Sequence, residues 1–107
     1  MKTTRVGLVT KEWPPQVYGG AGVHAVQLTE ALRNLDGVSV DVHCFGGLRE
    51  DGAIGYSTPV SFADANPAVQ AIATDLDIAN NLQNVDIIHS HTWYANMAGH
   101  FGALLHG

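Results

Sequence analysis

The chain has 107 residues, with five Lys plus Arg against ten Asp plus Glu, a net charge of −5, 46% apolar and 14% charged residues. That length holds one small domain, and that composition belongs to a chain that buries a core. Sparse basic residues argue against nucleic acid or an anionic membrane as partner, and the single cysteine, Cys44, excludes an internal disulfide.

A small phosphate ligand remains open, because backbone N–H groups can hold one without side-chain charge. Lys2 and Arg5 flank an apolar run too short for a signal-peptide core. No apolar stretch approaches the ~20 residues of a membrane helix. A cytoplasmic protein is expected. There is no internal repeat and no low-complexity tract.

Residues 5–10 form an apolar run of the kind buried on both faces of a parallel sheet. Pro14-Pro15 then forbids helix and stiffens the entry to a loop. That loop reads Glu12-Trp13-Pro14-Pro15-Gln16-Val17-Tyr18-Gly19-Gly20-Ala21-Gly22. Ala25, Leu28, Leu32 and Leu35 recur at helical spacing, and Gly37 is the expected C-cap. Residues 38–45 predict a second strand, with Cys44 as an inert core thiol, and Gly46-Gly47 breaks it. Residues 48–65 are expected to be a surface loop with a short extended piece at 56–62.

Asn66-Pro67 is a helix-start pair, Asn as cap and Pro in the first helical position. Val69, Ile72, Ala73 and Leu76 predict the buried face of a second helix that fades near Asn80-Asn81. Residues 85–89 predict a third strand and residues 90–93 a turn. Ala95, Ala98, Gly102 and Leu105 predict a third helix ending at Gly107, with a small face for close packing on a sheet. Alternating strands and helices with buried strands imply a parallel sheet covered by helices through right-handed crossovers. Ligands of such sheets bind beyond the carboxyl ends of the strands, where residues 11–22 and 90–93 both lie.

The strand, glycine turn and helix start suit an anion. The first helical N–H groups lack partners, and the helix dipole adds positive potential. Gly19, Gly20 and Gly22 thus read as a phosphate loop or as a tight turn. The spacing is neither the G-x-G-x-x-G fingerprint nor a P-loop. Lys11 is either a point charge for a phosphate or a solvated lysine. His89 and His91, two apart on a strand, face the same side. No Cys, Asp or Glu stands near them in ligand spacing, so a metal is not expected. One of the two is expected in the core and the other at the cleft, bonding a sugar or phosphate oxygen. Thr92 is the expected N-cap of the third helix. Trp93 and Tyr94 form either an apolar wall for a sugar ring or helix-to-sheet packing.

His24, in the first turn of the first helix, either reaches the phosphate cleft or lies on the surface. His43, His100 and His106 carry no usable spacing. Glu12 and Asp41 are acid or base candidates that nothing in the sequence pairs.

Residues Lys11-Glu12-Trp13-Pro14-Pro15 with Val17-Tyr18-Gly19-Gly20-Ala21-Gly22-Val23-His24 resemble the start of GT-B glycosyltransferases of the glycogen/starch synthase type. Val40-Asp41-Val42-His43-Cys44, Ala65-Asn66-Pro67-Ala68 and Asp86-Ile87-Ile88-His89-Ser90-His91-Thr92-Trp93-Tyr94 are similar to the actinobacterial branch of that family. The resemblance covers essentially the whole chain.

It implies an α/β, Rossmann-like parallel sheet with flanking helices: the truncated N-terminal, acceptor-side half-domain of a GT-B fold, with no second domain in residues 1–107. It implies transfer of glucose from ADP-glucose or UDP-glucose to an α-1,4-glucan or to glucose 1-phosphate, with retained configuration, no cofactor and no metal.

The resemblance places the donor diphosphate and acceptor at Gly19, Gly20, Gly22 and Lys11, and a sugar cleft at His91, Thr92, Trp93 and Tyr94. In the family a donor-binding lysine directly precedes Thr-Gly-Gly, whereas Tyr18 precedes Gly19 here. The family's His-Asp-Trp triplet appears as His91-Thr92-Trp93, without the carboxylate. No catalytic residue is expected within the chain, and the chain alone is expected to be inactive. The alternatives are a non-catalytic phosphosugar-binding module and a flavodoxin-like domain.

Overall fold

A computed structural model describes residues 3–17, 19–47, 49 and 51–106, apart from the side chains of Trp93 and Tyr94. Strand β1 (Thr4–Thr10) is followed by helix α1 (Gly20–Arg33), β2 (Val38–Phe45), the short β3 (Ile54–Tyr56) and a 3-10 turn (Val60–Phe62). Helix α2 (Pro67–Asn80), β4 (Ile87–Ser90) and α3 (Thr92–His106) complete the order. The four strands form one parallel sheet in the order β3-β2-β1-β4. The α/β, Rossmann-like expectation holds.

The apolar run of β1 is buried from Val6 to Thr10, as a central parallel strand requires. Alternate residues feed two cores. Leu8, Val42 and Cys44 pack with Ala25 beneath α1. Val9, Tyr56, Ile78, Leu82, Ala95 and Ala98 pack on the other face, beneath α2 and α3. Cys44 is a free, buried thiol, and burial pushes its pKa up. A side chain at Gly102 would strike Ile88 at 2.7 Å. The small face of α3 therefore brings its backbone close to β4, as its sequence predicts.

Several expectations are corrected. Helix α1 starts at Gly20 rather than near Ala25 and is capped by Asn34; Gly37, at φ +77°, lies in the turn before β2. Residues 54–56, inside the expected loop, form a fourth strand. In α2, Val69, Ile72 and Leu76 are exposed, while Ala71, Thr74, Asp75 and Ile78 are buried. That helix packs mainly along α3, and Ala73 of the expected face is buried. Leu105 is exposed on α3. The cap of α2 is as expected: the Asn66 side chain accepts from Val69 N–H at 3.0 Å. Residues 48 and 50 and Gly107 fall outside the described residues. Among the described residues no helix is long and apolar enough to cross a membrane.

Candidate functional site

The sheet order sets the site. Strand β1 has β2 on one side and β4 on the other, so the winding reverses between β1 and β4. At such a switch point the loops leaving the strand ends diverge and open a crevice. Residues 11–17 and Gly19, after β1, and His91, after β4, flank it. The His91 N–H donates to the Val9 carbonyl at 3.0 Å, carrying the β1–β4 pairing one residue past β4.

On the β1 side, the loop is anchored by Trp13 and Arg49. Trp13 is buried, and its indole N–H donates to Asp51 at 2.8 Å. That bond is the main cause holding the Asp51 carboxyl below the usual carboxylate value. The Arg49 guanidinium donates to the carbonyls of Trp13, Phe45 and Gly47 and to the Gln16 side chain. The Pro14-Pro15 peptide bond is cis.

At Gly19 the backbone is extended, and its N–H donates to Glu12 Oε1 at 3.0 Å. Among the described residues no side chain caps α1 and none in its first turn is acidic. The N–H groups of Gly20, Ala21 and Gly22 therefore open the helix without a capping side chain. The three glycines differ. A methyl group at Gly22 would strike Val17 at 2.8 Å and the Glu12 Cβ at 2.9 Å, so packing demands a glycine there. At Gly19 and Gly20 nothing among the described residues lies within 4 Å of such a group. On that side a ligand can come close to the backbone, which glycine permits.

On the β4 side, three imidazoles meet. The His91 ring lies 4.6 Å from that of His89 and 5.3 Å, edge-on, from that of His24. His24 comes from the first turns of α1, so it reaches the crevice rather than merely covering the surface. Neither His89 nor His91 is a core residue; His89 is exposed and His91 half-buried. Yet His91 Nε2 is shielded from solvent and has no hydrogen-bond partner among the described residues. Burial first, then His89 and His24, pull the His91 pKa below its ordinary value. Among the described residues no group of three His, Cys, Asp or Glu side chains has the geometry to hold a metal ion.

The remaining expected positions separate. Lys11 lines a pocket of about 260 Å³ with Phe45, Thr58, Gln70 and Thr74, at the start of α2. It faces the α2 side of the sheet, not the glycine turn on the α1 side. Thr92 is the first residue of α3 rather than the residue before it, and has φ +66°. Tyr18 and the side chains of Trp93 and Tyr94 lie outside the described residues. Asp41 sits mid-strand in an exposed 3.6 Å pair with Arg5, away from the crevice.

His43 is buried, with Nδ1 2.8 Å from the Tyr56 hydroxyl. Burial, partly offset by Asp41, lowers its pKa. It is a satisfied core histidine. The sequence did not signal the Glu12–Gly19 bond, nor the meeting of His24 with His91 across 67 positions.

The family model of Glycosyltransferase Family 4 matches residues 18–107, most of the chain. The chain belongs to glycosyltransferase family 4.

Its sheet and the crevice at the β1/β4 switch point are those of a GT-B-type glycosyltransferase domain, which sets aside the flavodoxin-like alternative. The chain is 44% identical over 103 residues to the alpha-maltose-1-phosphate synthase of Mycolicibacterium smegmatis, covering 96% of this chain and 26% of that protein. It is 45% identical over 102 residues to the enzyme of the same name from Mycobacterium tuberculosis strain H37Rv, covering 95% of this chain and 26% of that protein. The chain thus spans about a quarter of the length of these relatives. They share the GT-B glycosyltransferase kind expected from the sequence, but their name is not that of a glycogen synthase.

Proposed function

We propose that the protein carrying this chain moves a glucosyl group from a sugar nucleotide, ADP-glucose or UDP-glucose, to the 4-hydroxyl of glucose 1-phosphate. The bond between the glucosyl anomeric carbon and the diphosphate breaks. A bond from that carbon to the acceptor oxygen forms, and the hydroxyl proton leaves with the nucleoside diphosphate. The product is α-maltose 1-phosphate. A glucan chain end, carrying the same hydroxyl, is the competing acceptor.

The observation that carries this reading is the start of α1 at the switch point, uncapped by any described side chain, where a Cβ added at Gly19 or Gly20 meets no described atom within 4 Å. Backbone dipoles fixed at a helix start stabilise a leaving diphosphate without reorganising. The names of the relatives support the acceptor. Because donor and acceptor are both charged metabolites, we place the reaction in the cytoplasm.

No residue of this chain is assigned to bond breaking. Backbone N–H groups alone hold the diphosphate weakly, so the 107 residues by themselves are expected to give no turnover.

The test incubates the full-length protein with labelled ADP-glucose or UDP-glucose and either glucose 1-phosphate or glycogen. A labelled disaccharide phosphate, formed faster than label enters glycogen, is the expected result. Labelling of glycogen alone contradicts the acceptor, and no transfer to either contradicts the reading.

A further inference from the structure

Three imidazoles in ring contact stand beside the crevice, and they are more than a diphosphate site at the start of α1 needs. His24 comes from α1, His89 from β4 and His91 from the residue after it, so two independently placed elements build the cluster. His24 and His89 are exposed, so solutes reach the group from outside. His91 Nε2 is buried and has no hydrogen-bond partner among the described residues. An orphaned buried nitrogen carries a desolvation penalty that a ligand oxygen relieves.

We infer that His24, His89 and His91 seat the phosphate group of a phosphorylated sugar acceptor, which binds together with a proton. This rests on the reading above and deepens it, by saying what tells an anionic acceptor from a neutral glucan. A phosphate monoester has a second pKa near 6, so it is mostly dianionic at neutral pH and offers three strong acceptor oxygens. Imidazoles donate from both nitrogens only when protonated. A dianion among them therefore draws a proton in, and each bond it makes is charge-assisted. A neutral glucan end gains none of this.

The charged groups around the cluster are few. From the β1–α1 loop, Glu12 points its carboxylate at Gly19 N–H. Lys11 follows β1 but lines the pocket on the α2 side. On α3, His100 lines a separate cleft beside Leu82 and Ile88. On β1 the residue in register with His89 is the uncharged Leu8. On His91 itself only His89 and His24 act electrostatically.

The donor's diphosphate offers the same chemistry, so the test separates the two sources. The full-length protein is titrated calorimetrically with glucose 1-phosphate, ADP-glucose or maltose, in buffers of differing ionisation enthalpy. Carbon-13-labelled histidines report the His91 titration. Glucose 1-phosphate is expected to take up ~0.5–1 proton at pH 7 and to raise the His91 midpoint, its binding weakening from pH 6.5 to 8.

His24→Asn and His89→Asn, both at exposed positions, are expected to raise the KM for glucose 1-phosphate about tenfold each, the loss of one charge-assisted bond. They should leave the KM for the sugar nucleotide within about twofold, and circular dichroism and melting checks that they fold. No proton uptake, or an equal loss for the sugar nucleotide, overturns the proposal. If the rings titrate with glucose 1-phosphate but no transfer to it occurs, the proposed reaction fails and the seat stands. If transfer occurs without uptake and the variants keep their KM, the seat fails and the reaction stands.

Discussion

The Glu12 carboxylate accepts a hydrogen bond from the Gly19 backbone N–H at 3.0 Å, so a negative charge stands at the start of α1 before any ligand arrives. The bond ties the end of β1 to the glycine turn and gives the turn its shape. It also opposes an incoming diphosphate. Glu12→Gln keeps an oxygen for the Gly19 N–H but removes the charge. It is expected to tighten ADP-glucose binding about threefold at low salt, with the gain fading as salt rises. Glu12→Ala loses the bond as well and is expected to weaken binding. Calorimetric titration at two salt concentrations checks both.

Gly20 and Gly22 separate function from folding. Gly22→Ala drives a methyl group into Val17 and Glu12 and is expected to lower stability by about 1–3 kcal/mol. Gly20→Ala meets nothing among the described residues within 4 Å and lies in a helix, so it is expected to leave the melting temperature unchanged or raise it. Because the added methyl occupies the space kept for the diphosphate, its dissociation constant for ADP-glucose is expected to rise about tenfold or more. A Gly20→Ala protein that binds normally would reduce Gly20 to a turn residue.

Asp75 gives a pH dependence of known sign. Its side chain is buried, Oδ1 has no partner among the described residues, and burial raises its pKa from 3.8 to about 7. A folded-state value above the unfolded one means that the native state binds the extra proton. The stability linked to Asp75 is complete below pH 3.8 and is lost as pH rises through about 7. The loss amounts to a few kcal/mol, from ~1.4 kcal/mol per pKa unit. Asp75→Asn removes the ionisation. It is expected to be more stable than the parent at pH 8, with the difference shrinking toward pH 4. Urea midpoints of both proteins across that range measure it.

Thr92 holds the left-handed conformation, φ +66°, at the turn from β4 into α3. A β-branched residue is an outlier there, at a cost of about 1–2 kcal/mol. Thr92→Gly or Thr92→Asn is expected to raise stability by up to ~1 kcal/mol, read from thermal melts. If both variants melt below the parent, the Thr92 side chain makes a stabilising contact that outweighs the strain.

Much of this fold is legible in the sequence because a buried parallel strand is a continuous apolar run, as in β1 and the end of β2. The pair Asn66-Pro67 states its helix start through a cap and a fixed φ. The first turn of α1 is not legible, since Gly20, Ala21 and Gly22 carry no apolar period. The buried face of α2 is misread because apolar periodicity favours Val69, Ile72 and Leu76. The fold instead buries Ala71, Ala73, Thr74 and Ile78, and carries Asp75 inside.

At the site, the glycine turn is visible as composition. The meeting of His24 with His91 is not, because it depends on β4 taking its place beside β1 rather than beyond β3. Lys11, directly after β1, faces the other side of the sheet because residues flanking the end of β1 alternate between its two faces.

The central claim is that the start of α1 holds the diphosphate of a sugar nucleotide. A crystal structure of the full-length protein with ADP-glucose tests it most directly. The account predicts a diphosphate oxygen within about 3.2 Å of the backbone N–H of Gly20, Ala21 or Gly22. A diphosphate bound wholly elsewhere, with the space at Gly19 and Gly20 still open, would contradict it.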